Sequence, residues 1–257
     1  MAKARRPLAI RDVGELLKRS PRTGEAILVG GQALNVWAVH FGLAAETAAL
    51  SDDIDFFGSR AQAIAAGLDW GAKVATPSLD DQTPNSAVVM VEVDDEERGI
   101  DFLNSIAGVE SRELSRWAST VSGGTYGFKV MHPLHVLQSQ LENVYGVLDR
   151  RNERAGEYYA GRVALAIQVT AHAVTEILDA ASKREALKAA ERIAAMAVKR
   201  PALEAWHRDH LDLLGAIPEH KAWSPQFLNK RLPQVTARVE AMRQKYVSRL
   251  TRGGSGK

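Results

Sequence analysis

The 257-residue chain carries 33 Lys and Arg against 31 Asp and Glu, a formal net charge of +2, and 46% hydrophobic residues. That length can bury a sizeable core and leaves room for two domains of ordinary size. With no cysteine, disulfides and thiolate-ligated metal centres are excluded. No apolar run is long enough to span a membrane, and the opening residues Met1-Ala2-Lys3-Ala4-Arg5-Arg6-Pro7 lack the apolar core of a secretory signal, so a cytoplasmic protein is expected.

In chain order, Ile10, Val13, Leu16 and Leu17 predict a short amphipathic helix, and Ala26–Val29 a buried strand closed by Gly30-Gly31. A helix follows from near Ala33 to Phe41, then a strand over Asp53–Phe57 and a helix over Arg60–Leu68. Lys73–Thr76 reads as a strand. Ser86–Val93 and Gly99–Leu103 form a hairpin across the acidic turn Asp94-Asp95-Glu96-Glu97-Arg98, and Gly127–Met131 adds a further strand candidate. The expected class is α/β, with a mixed sheet in an N-terminal domain of residues 1–131.

Beyond Pro133 the pattern is helical, giving a bundle over 132–252 and a flexible tail over 253–257. Val163, Ile167, Val174 and Leu178 recur at helical spacing. Ser182-Lys183-Arg184-Glu185 reads as a capping box opening a helix that stops before Pro201. Ser224-Pro225 reads as an N-cap with proline at the first helical position.

Charge is distributed unevenly. Glu46–Glu113 holds fifteen acids against four bases, a net of −11, whereas Pro225–Lys257 holds eight bases against one acid, a net of +7. The acidic middle suits cation binding, and the basic end could attract a polyanion such as RNA.

Three carboxylates stand out. Strand side chains alternate, so Asp53 and Asp55 share a face while Ile54 and Phe56 point into the opposite layer. Two like charges at that spacing raise each other's pKa, and a hard divalent cation removes the penalty. Asp101 is likewise set apart from Ile100 and Phe102 on its own strand and needs a partner. The histidine pairs His132/His135 and His207/His210 have i, i+3 spacing, but neither has third and fourth metal ligands in register. The five tryptophans are scattered, as packing residues are.

The run Gly30-Gly31-Gln32-Ala33-Leu34, then Ser51-Asp52-Asp53-Ile54-Asp55, then Asp101 on a later strand, resembles the nucleotidyltransferase superfamily of DNA polymerase beta. Within it, the chain is most similar to the abortive-infection nucleotidyltransferase toxins, over residues 26–145. The resemblance implies that Gly30, Gly31 and Gln32 approach the triphosphate. It also implies that Asp53 and Asp55 hold Mg2+ or Mn2+, and that Asp101 serves a second metal and helps activate the attacking hydroxyl. Such an enzyme moves a nucleoside monophosphate from a nucleoside triphosphate (NTP) onto a hydroxyl of an RNA such as tRNA, or of a protein, and an antitoxin-type partner is plausible.

A small-molecule acceptor such as an aminoglycoside is a weaker alternative. Two departures matter: Gln32 stands where a Ser or Thr is common, and Gln140 stands near the family's lysine. Lys129, Arg150, Arg151 and Arg154 are the nearby cations that could take that lysine's place. The competing expectation is a degenerate nucleotidyltransferase fold that serves as a nucleotide-binding or protein-interaction module.

Overall fold

The computed structural model describes residues 8–19, 25–44, 49–51, 53–78, 83–93, 96–123, 126–147 and 153–253. Asp52, Arg150, Arg151, the side chain of Arg154 and residues 254–257 of the expected tail lie outside the described residues. The chain forms two compact units, Met1–Ser139 and Gln140–Lys257.

The first unit is α/β. Its main sheet contains β2 (Ile27–Val29), β4 (Ile54–Phe57), β5 (Lys73–Ala75), β6 (Asn85–Val93), β7 (Glu96–Leu103), β8 (Ser119–Gly123) and β9 (Tyr126–Val130), in the order β5-β6-β7-β4-β2-β9-β8. The sheet is mixed: β4 runs parallel to β7 and β2 parallel to β9, and the remaining neighbours are antiparallel. The predicted alternation is realised, because Ile54, Phe56, Ile100 and Phe102 are all buried. The Phe56 and Phe102 rings stack with centroids 5.4 Å apart. Helix α3 (Arg60–Trp70) closes over this apolar layer, and it can do so because Gly67 has no Cβ to collide with Val74. Its start is a true capping box between Ser59 and Gln62.

Helix α1 (Ile10–Lys18) is preceded by β1 (Leu8–Ala9), which pairs antiparallel with β3 (Ala49–Ser51) as a second, two-stranded sheet. Helix α2 spans Gly30–His40, so it begins three residues before the expected start. The small sheet is tied to α2 by Gln32, a fully buried amide whose Nε2 donates to Leu8 O (3.3 Å) and Ser51 O (3.0 Å) and whose Oε1 accepts from Asn35 (3.2 Å). Helix α4 (Ser111–Trp117) and strand β8 were not foreseen from the sequence.

The second unit is helical. Helix α5 (Pro133–Leu141) crosses the division between the units and runs into a π-helical turn, Glu142–Val147. Helices α6 (Glu153–Asp179), α7 (Lys183–Ala197), α8 (Arg200–Asp209) and α9 (Leu232–Gly253) follow. Val163, Ile167, Val174 and Leu178 are buried on α6, as their spacing predicts. Ser182 does precede α7, but its side chain makes no cap bond, which corrects the expected capping box. Ala181 just before it is left-handed (φ 57°), and Ser182 itself has ψ 57° rather than the extended value that aims a cap side chain at the third helical N–H. Ser224 does cap, with its hydroxyl 3.1 Å from Phe227 N. Gly253, expected in the tail, is the last residue of α9.

Gln32→Leu should leave two carbonyls without the donor that reaches them in the interior, at a cost of about 1–3 kcal/mol for each such group. Urea unfolding should show a lower midpoint with an unchanged slope. An unchanged midpoint would contradict this role.

Candidate active site

The site is built where β2, β4 and β7 adjoin at the centre of the main sheet. Register does the placing: Asp55 pairs with Asp101 across β4 and β7, and Val29 pairs with Asp55 across β2 and β4. Because paired residues project to the same side, Asp55 and Asp101 stand together on the face opposite the stacked phenylalanines. Asp53, two residues before Asp55, is exposed just ahead of β4, while Asp55 and Asp101 are half-buried. Strand β7 lies inside the sheet between β6 and β4, so Asp101 is not an edge residue open to water.

The electrostatics follow from that crowding. Burial pushes the Asp101 carboxyl above the usual aspartate range, and the nearby negative charge of Asp53 raises it further. Asn85 steadies the group, its Nδ2 lying 3.3 Å from Asp101 Oδ1. Sequence reasoning missed Asn85. It stands at the first residue of β6, beside an irregularity in register between Asn85 and Ala87, and such irregularities re-aim side chains. Its signal was an amide directly after Pro84 at a strand entry.

The glycine pair meets these carboxylates directly. Gly30 has φ +64°, and a Cβ added there would run into Asp55 Oδ2 and come within 3.2 Å of its Cγ. Glycine is therefore required by both backbone and space. The residue before the helix, Val29, supplies no side-chain cap, and no acid occupies the first turn of α2. The first backbone N–H groups of a helix have no intrahelical partner and form a region of positive potential. Gly30 and Gly31 set that end of α2 beside Asp55.

Two residues expected to contact the nucleotide have partners within the fold. Lys129 forms an ion pair with Glu25 (2.6 Å) beyond the start of β2, at the end opposite Gly30, so its charge is directed away from the glycine turn. The Gln32 side chain is committed to Leu8 and Ser51, which leaves only its backbone to take part. Among the described residues, no group of three or more His, Asp or Glu forms a ready-made cation cage. The donor set still suits a hard cation. It combines two adjacent carboxylates with a third acid close enough to perturb one of them, and Mg2+ commonly takes one or two protein carboxylates and completes its shell with phosphate and water.

The histidine pairs stay outside this chemistry. His210 is the left-handed residue that ends α8 (φ 56°), so the expected i, i+3 face with His207 is broken. His132 and His135 pack against Trp117, with ring centroids 5.6 and 6.5 Å away. The indoles of Trp37, Trp70 and Trp223 donate to Met131 O, Leu16 O and Pro218 O, as packing residues do.

No model of a protein family matches the chain, and no curated protein matches it. Among solved structures, the chain is similar to JHP933 from Helicobacter pylori at 12% identity, with a TM-score of 0.39, over 96% of this chain and 97% of that one. So loose an overlap carries no argument about function. No helix among the described residues is long and apolar enough to cross a membrane.

A raised pKa in the folded state means that the neutral carboxyl is preferred, so the stability it confers is present at low pH and is lost as pH rises through the folded pKa of Asp101. Asp101→Asn should therefore raise the melting temperature of the metal-free protein at pH 7, where the wild-type carboxyl is ionised against that preference. The gain should disappear in acid, where Asp101 is already protonated. A variant that is less stable than the wild type at pH 7 would refute the reading.

Proposed function

We propose that this chain is a metal-dependent nucleotidyltransferase resembling the abortive-infection members of the DNA polymerase beta superfamily. It would transfer a nucleoside monophosphate from an NTP to a hydroxyl of an RNA such as a tRNA end, or of a protein, in the cytoplasm, with an antitoxin-type protein as a plausible partner. The observation that supports this reading best is the registered Asp55–Asp101 pair, with Asp53 close by and Gly30 against Asp55 at the start of α2.

In this reading Asp53, Asp55 and Asp101 would hold Mg2+ or Mn2+, which when bound supplies charge neutralisation of the triphosphate and the departing pyrophosphate. The chain's own groups do the rest. The N–H groups at the start of α2 bind phosphate oxygens through Gly30 and Gly31. The acceptor oxygen forms a bond to the α-phosphorus as the bond from that phosphorus to the bridging oxygen breaks, and pyrophosphate carries away the electron pair. The acceptor's proton passes to Asp101 Oδ2, because Oδ1 is engaged by Asn85.

A second reading, a catalytically degenerate fold that binds nucleotides or proteins, is favoured by two observations. Lys129 is occupied by Glu25, and the side chain of Gln32 is turned inward. Calorimetric titration of ATP, GTP, CTP and UTP with Mg2+ separates the two. The enzyme reading expects Mg2+-dependent binding of at least one triphosphate, weakened at least about tenfold, near 1.4 kcal/mol, in an Asp53→Asn, Asp55→Asn variant. Binding of no triphosphate would overturn it.

A further inference from the structure

The basic C-terminal region sorts into two kinds of cation. Arg243 belongs to the fold: it is buried, its Nη2 lies 2.5 Å from Asp212 Oδ1, and its guanidinium sits 4.9 Å over the Trp206 ring. Arg238, Lys245, Arg249 and Arg252 are all exposed, and among the described residues none forms an ion pair. At 100° per residue these four fall within about 60° of arc around α9, and at 1.5 Å per residue they extend over about 21 Å. The buried residue Val239 lies about 100° from Arg238, and Glu240, the sole acid of α9, about 160° from it on the far side of the helix. Gln234, Ala241 and Ser248 lie along one side of the cations and the half-buried Met242 along the other, so the row carries no carboxylate.

That chemistry selects its partner. Protein interfaces are anchored by buried aromatic or aliphatic residues, and helices that lie on membranes expose an apolar face. On α9 the apolar residue buried within its own unit is Val239, and the exposed Leu250 lies about 120° around the helix from Arg238, away from the cations. A rigid row of bare cations and small polar groups suits the phosphodiester backbone of a nucleic acid. Beside it, Ala194, Ala195, Val235 and Val239, together with Gln234, Arg238 and the Arg231–Glu191 ion pair (3.4 Å) at its edge, line a groove of about 390 Å³ between α7 and α9. Apolar walls with guanidinium groups are what an unpaired base stacks against, and such bases are the usual target in RNA.

We infer that the outer face of α9, with the α7/α9 groove, binds the backbone of an RNA that carries an unpaired segment. The choice of RNA as the polyanion rests on the transfer reading above, whereas the cation row itself does not.

The test is fluorescence anisotropy of the full chain with a labelled RNA hairpin bearing a single-stranded 3′ end, with no nucleotide or divalent metal present. Four phosphate contacts at a slope of −0.7 to −0.9 each predict a log–log salt slope near −3, so binding should weaken about 60-fold between 50 and 200 mM salt. Replacing Arg238, Lys245, Arg249 and Arg252 together by Gln should flatten that slope by about 3 and weaken binding at 50 mM salt at least about 30-fold. The single reversal Lys245→Glu should act in the same direction, and both variants should keep the wild-type melting temperature. The exposed α4 pair Arg112→Gln, Arg116→Gln should leave affinity within about twofold.

Wild-type affinity in the fourfold variant, equal binding of a DNA duplex of the same sequence, or equally effective competition by polyglutamate would each overturn the assignment, as would no RNA binding at all. The Asp53→Asn, Asp55→Asn variant should bind RNA as the wild type does. Loss of RNA binding and loss of NTP binding are therefore scored separately.

Discussion

The parallel pairing of β4 with β7 is the constraint on which the site depends. In one register it sets Phe56 against Phe102 on the buried side and Asp55 against Asp101 on the other. Side chains alternate with period two, so a slip of one residue by either strand would drive its carboxylate into the layer beneath α3 and expose its phenylalanine ring. Burying an unpaired carboxylate costs several kcal/mol, and exposing a phenylalanine forfeits about 2–3 kcal/mol. The core thus fixes the charge pair as firmly as it fixes itself.

That arrangement carries strain of an electrostatic kind. Asp101 is held where burial and the charge of Asp53 both oppose its ionisation, and Gly30 must stay without a side chain for Asp55 to sit where it does. A fold selected for stability alone would separate these groups. Held together beside the uncapped start of α2, they are locally unfavourable groups of the kind that functional sites commonly hold.

Much of the first unit was legible because its signals are local. The period-two alternation of Ile54, Phe56, Ile100 and Phe102 reports face and burial within a few residues, and so it set Asp55 and Asp101 on one face, whereas Asp53, expected on the same strand, lies just ahead of β4. What sequence could not supply was partnership. Strand β1 is two residues long and β8 reads Ser-Thr-Val-Ser-Gly, neither with an apolar period, and each exists through pairing with a distant strand. Lys129 looked like a free cation until β9 was laid beside β2, which brings it to Glu25, 104 residues away in the chain. The same limit explains the caps. Ser182 has the right motif but the wrong backbone, whereas Ser59, with ψ 160°, makes the box that its own Gln62 completes. In the second unit, helical spacing located the buried face of α6, but net charge alone did not separate Arg243, which is consumed by packing, from the four cations that are not.

The central claim is that Asp101 titrates in the field of its neighbours and is relieved by a cation. It is tested most directly by following the Asp101 side-chain carboxyl carbon by NMR across pH, in the wild type and in Asp53→Asn, with and without Mg2+. The account predicts a midpoint above the ordinary aspartate range in the metal-free wild type, a lower one in Asp53→Asn, and a lower one again on addition of Mg2+. A midpoint at the ordinary value that neither the substitution nor the metal moves would contradict it.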